Sequence, residues 1–153
     1  MPPIVDLEHA LPIVVGAQPE AELFDRPVAY RLRDAVVRWQ REICDSAIVD
    51  PIVLSDVYYL NHLDLRERPT ICIGHPRVNA FSAYLVDKLP TAFGIDDRLM
   101  IQLEDGYEGL DALVWGAEPD QLIEAMDAFL DRFLDEYLRR VSAVTESDLD
   151  LIG

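Results

Sequence analysis

The chain has 153 residues, half of them hydrophobic, and a formal net charge of −16 from 29 acidic against 13 basic residues. That length supports one domain with a real core and excludes two ordinary ones, and the apolar content excludes a disordered chain. Nucleic acid and anionic membranes both require a basic face, and none stands out: Lys88 is the one lysine, and the 12 arginines form no cluster.

No run approaches the ~20 apolar residues of a membrane span. The start, MPPIVDLEHALPIVVG, lacks the basic region and long apolar core of a secretory leader. The expectation is a cytoplasmic protein with Cys44 and Cys72 reduced and packed, since two thiols without metal-like spacing carry no other message.

Taken in chain order, residues 1–25 form an N-terminal arm in which Leu11 to Val15 (LPIVV) is a first strand or an arm laid across the domain. Ala17 to Glu22 has loop character. Asp25 is placed as an N-cap with Pro27 in the first turn, opening a helix over about 26–44 whose apolar face carries Val28, Leu32, Ala35, Val36, Trp39 and Ile43. Asp50-Pro51 is a turn, followed by a buried strand at Ile52, Val53 and Leu54. His62 to Arg68 is a polar connection.

The unit Pro69–Pro90 is a short strand, a tight turn and a helix. Thr70 to Ile73 is a β-branched, apolar run suited to a strand buried on both faces. Gly74 permits a sharp turn, Pro76 suits a first helical position, and His75 falls just before it. Val78, Phe81, Leu85 and Leu89 then recur at helical spacing until Pro90 stops the helix.

Thr91 to Ile95 and Leu99 to Leu103 predict a hairpin around Asp96-Asp97, and Glu104 to Gly109 an acidic loop. Ala112 to Trp115 is another buried strand. Glu118-Pro119 opens a last helix with a stripe of Leu122, Ala125, Met126, Phe129, Phe133, Leu134 and Tyr137, reaching Val141. The segment 142–153 is an acidic tail. Residues 26–141 thus form a single-domain α/β sandwich with a mixed sheet of about five or six strands and three main helices. The sheet is mixed because the 91–103 hairpin must be antiparallel.

Ligands of α/β sheets bind outside the carboxyl ends of the strands. Three strands end in a glycine or polar residue, at Ser55-Asp56, Gly74-His75 and Gly116-Ala117-Glu118. If these strands are parallel, Ser55, Gly74, His75, Arg77, Asn79, Trp115 and Glu118 are the ligand-binding candidates. Asp56 and His75 are the candidates for acid–base catalysis, because histidine titrates near neutrality. Free N–H groups at the helix start would favour an anion there. The plainer alternative is that Asp56 caps a turn and His75 is a solvated helix-start residue.

The run Ile-Gly-His-Pro-Arg-Val-Asn is similar over seven residues to Gly-Gly-Pro-x-x-Asn turns of some surface-layer proteins, with His75 in place of a glycine; seven residues carry no family assignment. No nucleophile elbow, His-Glu-x-x-His, Walker or Gly-x-Gly-x-x-Gly pattern is present, so no cofactor and no metal are expected. The first reading is a soluble domain that binds a small molecule or protein partner without recognisable catalysis. A small acid–base enzyme and a structural or homo-oligomeric subunit are the alternatives. Tyr58-Tyr59-Leu60, if exposed, would favour a protein interface.

Overall fold

The computed structural model describes residues 8–44, 48–96, 98–104 and 110–152, with residues 146–152 described by backbone alone. Six strands build one mixed sheet: β1 (Ala10–Val15), β2 (Asp50–Ser55), β3 (Ile71–Ile73), β4 (Thr91–Ile95), β5 (Leu99–Leu103) and β6 (Ala112–Gly116). Their order is β2-β1-β3-β6-β5-β4. The first four in that order are mutually parallel, and β5 and β4 continue the sheet antiparallel as the hairpin expected from 91–103.

The expected single-domain α/β sandwich is the fold observed, with both sheet faces covered by helices. The central strands are apolar on both sides for that reason. Ile13, Ile71, Ile73 and Val114 point into the larger core, under α1 (Arg26–Trp39), α5 (Pro119–Arg132) and α6 (Leu134–Ile152). Val14, Cys72, Leu113 and Trp115, offset by one residue, meet Tyr59, Leu65, Phe81 and Leu85 on the other face. Those residues come from three short helices, α2 (Asp56–Leu60), α3 (Leu63–Arg66) and α4 (Ala80–Leu85). Of the expected core, Ile71, Ile73, Val114, Phe81 and Phe129 are buried, whereas Trp39 and Val53 are only partly so. Val53 lies on the edge strand β2, and the Trp39 indole N–H donates to Asp135 Oδ1 at 2.9 Å.

Several elements differ from their expected form. The LPIVV segment is no loose arm but an inner strand, paired on both sides. The first long helix starts earlier, because a π-helical turn at Ala21–Asp25 runs straight into α1, and a second at Gln40–Cys44 continues it. Asp25 is therefore inside a helical run, and its side chain caps nothing. The last helix breaks at Phe133, whose φ of −122° interrupts the α geometry, and α6 carries helical backbone past Val141 to Ile152. Asp97 and the glycine-bearing part of the acidic loop, 105–109, lie outside the described residues.

The largest difference concerns the unit 69–90. The helix does not begin at Pro76. Residues 76–78 form a turn in which the Val78 and Asn79 N–H groups donate to the His75 carbonyl, and Asn79 is the N-cap of α4. The physical reason is that Asn79 provides a side-chain acceptor at a helix start and Pro76 provides none.

Candidate functional site

Parallel pairing of β2, β1, β3 and β6 puts Ser55, Gly74 and Gly116 at one edge of the sheet. The chain leaves β1 towards β2 and leaves β3 towards β6, so a crevice is expected between the ends of β1 and β3. Asn79 fills it. Its amide nitrogen donates to the carbonyls of Val14 (3.3 Å) and Ile73 (3.0 Å), while its Oδ1 accepts from Phe81 and Ser82 N–H. At 1 % exposure Asn79 stitches the two strands to α4.

Asp56 is equally occupied. Its Oδ1 accepts from the Val57 N–H at 2.8 Å, and its Oδ2 accepts from the Ala80 N–H at 2.8 Å. Ser55 Oγ accepts from Tyr58 N–H and caps α2. The helix-start donors expected to await an anion are thus already bonded within the protein. Asp56 occupies the position that such an anion would take at Ala80.

The open ground at this edge lies beside that crevice, between the starts of α1 and α5. Here His75, Arg77, Gly116 and Glu118 line a shallow depression with Glu20 and Asp25. Its enclosed volume is about 10 Å³, room for roughly one water molecule. Gly74 borders it with φ of +125°, a conformation that strains any residue with a Cβ. A Cβ there would also stand 2.7 Å from Asp25 Oδ2.

Asp25 is the residue at this site that the strand-end argument missed. It is 7 % exposed, and its Oδ2 is shut off from solvent without a hydrogen bond. Burial, reinforced by the charge of Glu20 and opposed by that of Arg77, pushes the carboxyl up from 3.8 to about 7. His75 moves the other way: burial and the Arg77 charge lower its pKa, with Glu20 opposing. The imidazole Nδ1 accepts from the Arg77 N–H at 3.0 Å, which leaves Nε2 to carry the proton of the neutral ring. Arg77 itself pairs with Glu20 at 2.9 Å on the rim.

Of the sequence-derived candidates, Gly74, His75, Arg77 and Glu118 come together. Trp115 stands behind them, edge-on to His75 with ring centroids 5.1 Å apart. Ser55, Asp56 and Asn79 lie at the same sheet edge but serve α2 and α4. Tyr59 is buried and bonds Thr70, so the Tyr58-Tyr59-Leu60 run is not an exposed aromatic face; Tyr58 stacks on His62 at 3.9 Å. Cys72 is buried against Ser82, and burial pushes its thiol up to about 12, which makes it a poor nucleophile.

Asp25 did have a sequence signal. Once the helix is allowed to start at Ala21, residues 21, 25, 28, 29, 32 and 36 make one stripe, and Asp25 is its one charged member. Among the described residues no group of three or more histidine, cysteine or acidic side chains could hold a metal ion, and no helix is long and apolar enough to cross a membrane. No family model matches this chain, and no curated protein is similar to it.

Proposed function

We propose that this domain binds a small polar molecule across the depression bordered by Gly74, His75, Arg77, Glu118 and Asp25. The observation that carries this reading is the Asp25 carboxyl: buried, protonated near neutrality, and left with an oxygen that bonds nothing. A buried acceptor without a partner costs about 1–3 kcal/mol, and such groups concentrate at sites where a ligand completes them. A ligand N–H or O–H that displaces the wall over Oδ2 would supply the missing bond. Arg77 and His75 at the rim offer donors to the ligand's own acceptors. The enclosed volume admits little more than that donor group, so the body of the ligand rests on the rim.

The test is a titration of 15N-labelled protein with a library of small polar fragments. Binders are expected to shift the amides of Gly74, His75, Arg77 and residues 116–118 and to lose affinity in Asp25→Leu, which removes the side chain's oxygens without leaving a void. Binders that shift other residues, or that ignore Asp25→Leu, would rule the site out.

A second reading, acid–base catalysis, draws on two titratable groups in one depression whose environments push them in opposite directions, Asp25 up to about 7 and His75 down, with Asp25 in the place expected of Asp56. Chemical change in a ligand found by the titration, lost in His75→Ala, would support it; a ligand recovered unaltered would not.

A further inference from the structure

The two long helices over the larger core carry opposite charges on their exposed faces. Both α1 and α5 leave the carboxyl ends of parallel strands and run back over the same face of the sheet. They lie side by side and parallel. Arg31 pairs with Asp127, and about two turns further along both chains Trp39 bonds Asp135, just past the end of α5.

The exposed face of α5 is a stripe of acids, Asp120, Glu124, Asp127 and Asp131. Like charges three or four residues apart on a helix repel, and Asp131 also stands at the negative end of the helix dipole. Asp127 alone among them has an ion-pair partner within the described residues, and that partner is Arg31. The exposed face of α1 is its counterpart. It shows Arg31 and Arg38, with Arg41 one turn on in the π-helical segment, and Asp34 is the single acid of α1. Arg26 and Arg33 are engaged with Glu22, Asp34 and the Tyr30 ring, whereas Arg38 and Arg41 have no ion-pair partner among the described residues. Apolar side chains accompany these charges: Ile123 is 49 % exposed and Val37 41 %, so a contact here would also remove apolar area from water.

The two faces cannot meet within one molecule, because both point away from the sheet. Between two molecules their spacing matches. In an antiparallel crossing, the two-turn interval from Arg31 to Arg38 equals that from Asp131 back to Glu124. Setting Arg38 opposite Glu124 therefore brings Arg31 opposite Asp131, places Arg41 within a residue of Asp120, and leaves Asp34 opposite the neutral Ala128. A two-fold axis between α1 and α5 makes this crossing twice, each helix lying antiparallel on the other helix of the second copy. Pairing α5 with α5 would instead set acid against acid.

We propose that this chain forms a two-fold dimer in which the exposed face of α1 docks antiparallel on the exposed face of α5 of a second copy. Arg31 meets Asp131, Arg38 meets Glu124 and Arg41 meets Asp120, each contact made twice. The repulsion along α5 is relieved, and Val37 and Ile123, flanking the Arg38–Glu124 contact, lose contact with water.

Sedimentation of the full chain across micromolar concentrations should show a monomer–dimer equilibrium that weakens as salt is added. Arg38→Glu changes an exposed side chain with no ion pair in the monomer, so the variant should fold and give an unchanged circular dichroism spectrum. It should weaken the dimer by about tenfold or more, since it opposes Glu124 with a like charge in two places. Glu124→Arg alone should do the same. The double variant Arg38→Glu/Glu124→Arg restores both contacts with their signs exchanged and should dimerise as the wild type does. A chain that stays monomeric up to about 1 mM, a dimer that neither single reversal weakens, or a double variant no better than the singles would each overturn the proposal.

Discussion

Asp25→Asn should make the protein less sensitive to a rise in pH from the acid range to neutrality, and the size of the effect follows from the position of Asp25. Its carboxyl titrates at about 7 when folded and at about 3.8 when the chain is unfolded. The folded state thus holds this proton more tightly. Below pH 3.8 both states are protonated and there is no penalty. As pH rises from 3.8 to 7 the unfolded chain ionises first, so stability drains away, and above 7 the loss is complete. Each pH unit of that interval is worth about 1.4 kcal/mol, which sets a ceiling of ~4 kcal/mol for the whole span. Water entering the depression beside His75 would hydrate the carboxylate and bring the loss below that ceiling. An asparagine has no such proton. Urea unfolding of both proteins should therefore give a difference that grows in favour of the Asp25→Asn variant between about pH 4.5 and pH 8, over a constant offset from exchanging oxygen for nitrogen. A difference that stays flat with pH would refute the reasoning, because it would mean that Asp25 ionises as easily folded as unfolded. Asp111 has a similar pKa but is present in both proteins, so it cancels.

The remaining predictions concern the scaffold. Gly74→Val should destabilise strongly, since it combines a strained φ of +125° with a Cβ 2.7 Å from Asp25 Oδ2; a melt unchanged from wild type would show that the turn relaxes freely. Phe129→Ala should cost on the order of 3–5 kcal/mol in denaturant unfolding, as expected for a fully buried aromatic, and a loss below ~1 kcal/mol would mean that α5 does not pack as described. Asp56→Ala removes the acceptor of two backbone N–H groups and should cost about 1–3 kcal/mol, whereas His75→Ala should leave the melt nearly intact. The reverse order of those two variants would make His75 the structural residue.

Most of the sheet was legible because its strands are short β-branched or aliphatic runs bounded by Pro, Gly and Asp. A run of that kind has few alternatives to a buried strand. The parallel set and the antiparallel hairpin follow from where helical spacing intervenes between runs and where it does not. What was not legible is set by distant partners. The start of α4 shifted from Pro76 to Ala80 because Asn79 reaches the ends of β1 and β3 and Asp56 reaches Ala80 across 24 residues. The break at Phe133 carries neither glycine nor proline, so nothing local announces it. At the site, Gly74 and His75 were legible from the strand-turn order. Asp25 was hidden by a local rule: an acid just before Arg-Pro resembles an N-cap, and only the π-helical turn at 21–25 shows that it faces inward.

Asp25 and Asp56 make the sharpest contrast in the molecule. Both are aspartates at the same sheet edge, and both are buried to nearly the same extent, at 7 % and 6 % exposure. In a chain with 29 acidic residues, composition says nothing about either. Hydrogen-bond accounting separates them. Asp56 gives one oxygen to Val57 and the other to Ala80, so its burial is offset by two backbone donors and it can only hold the turn. Asp25 has an oxygen with no donor, although Arg77 stands near enough to act on its charge and spends its guanidinium on Glu20 instead. A purely structural role would favour the arrangement seen at Asp56, since leaving the acceptor open at Asp25 costs stability that a partner would restore. An unpartnered acceptor beside a strained glycine and a neutral imidazole is stability left unspent, and this is why the depression at Asp25, rather than the crevice closed by Asn79, is the place to look for a ligand.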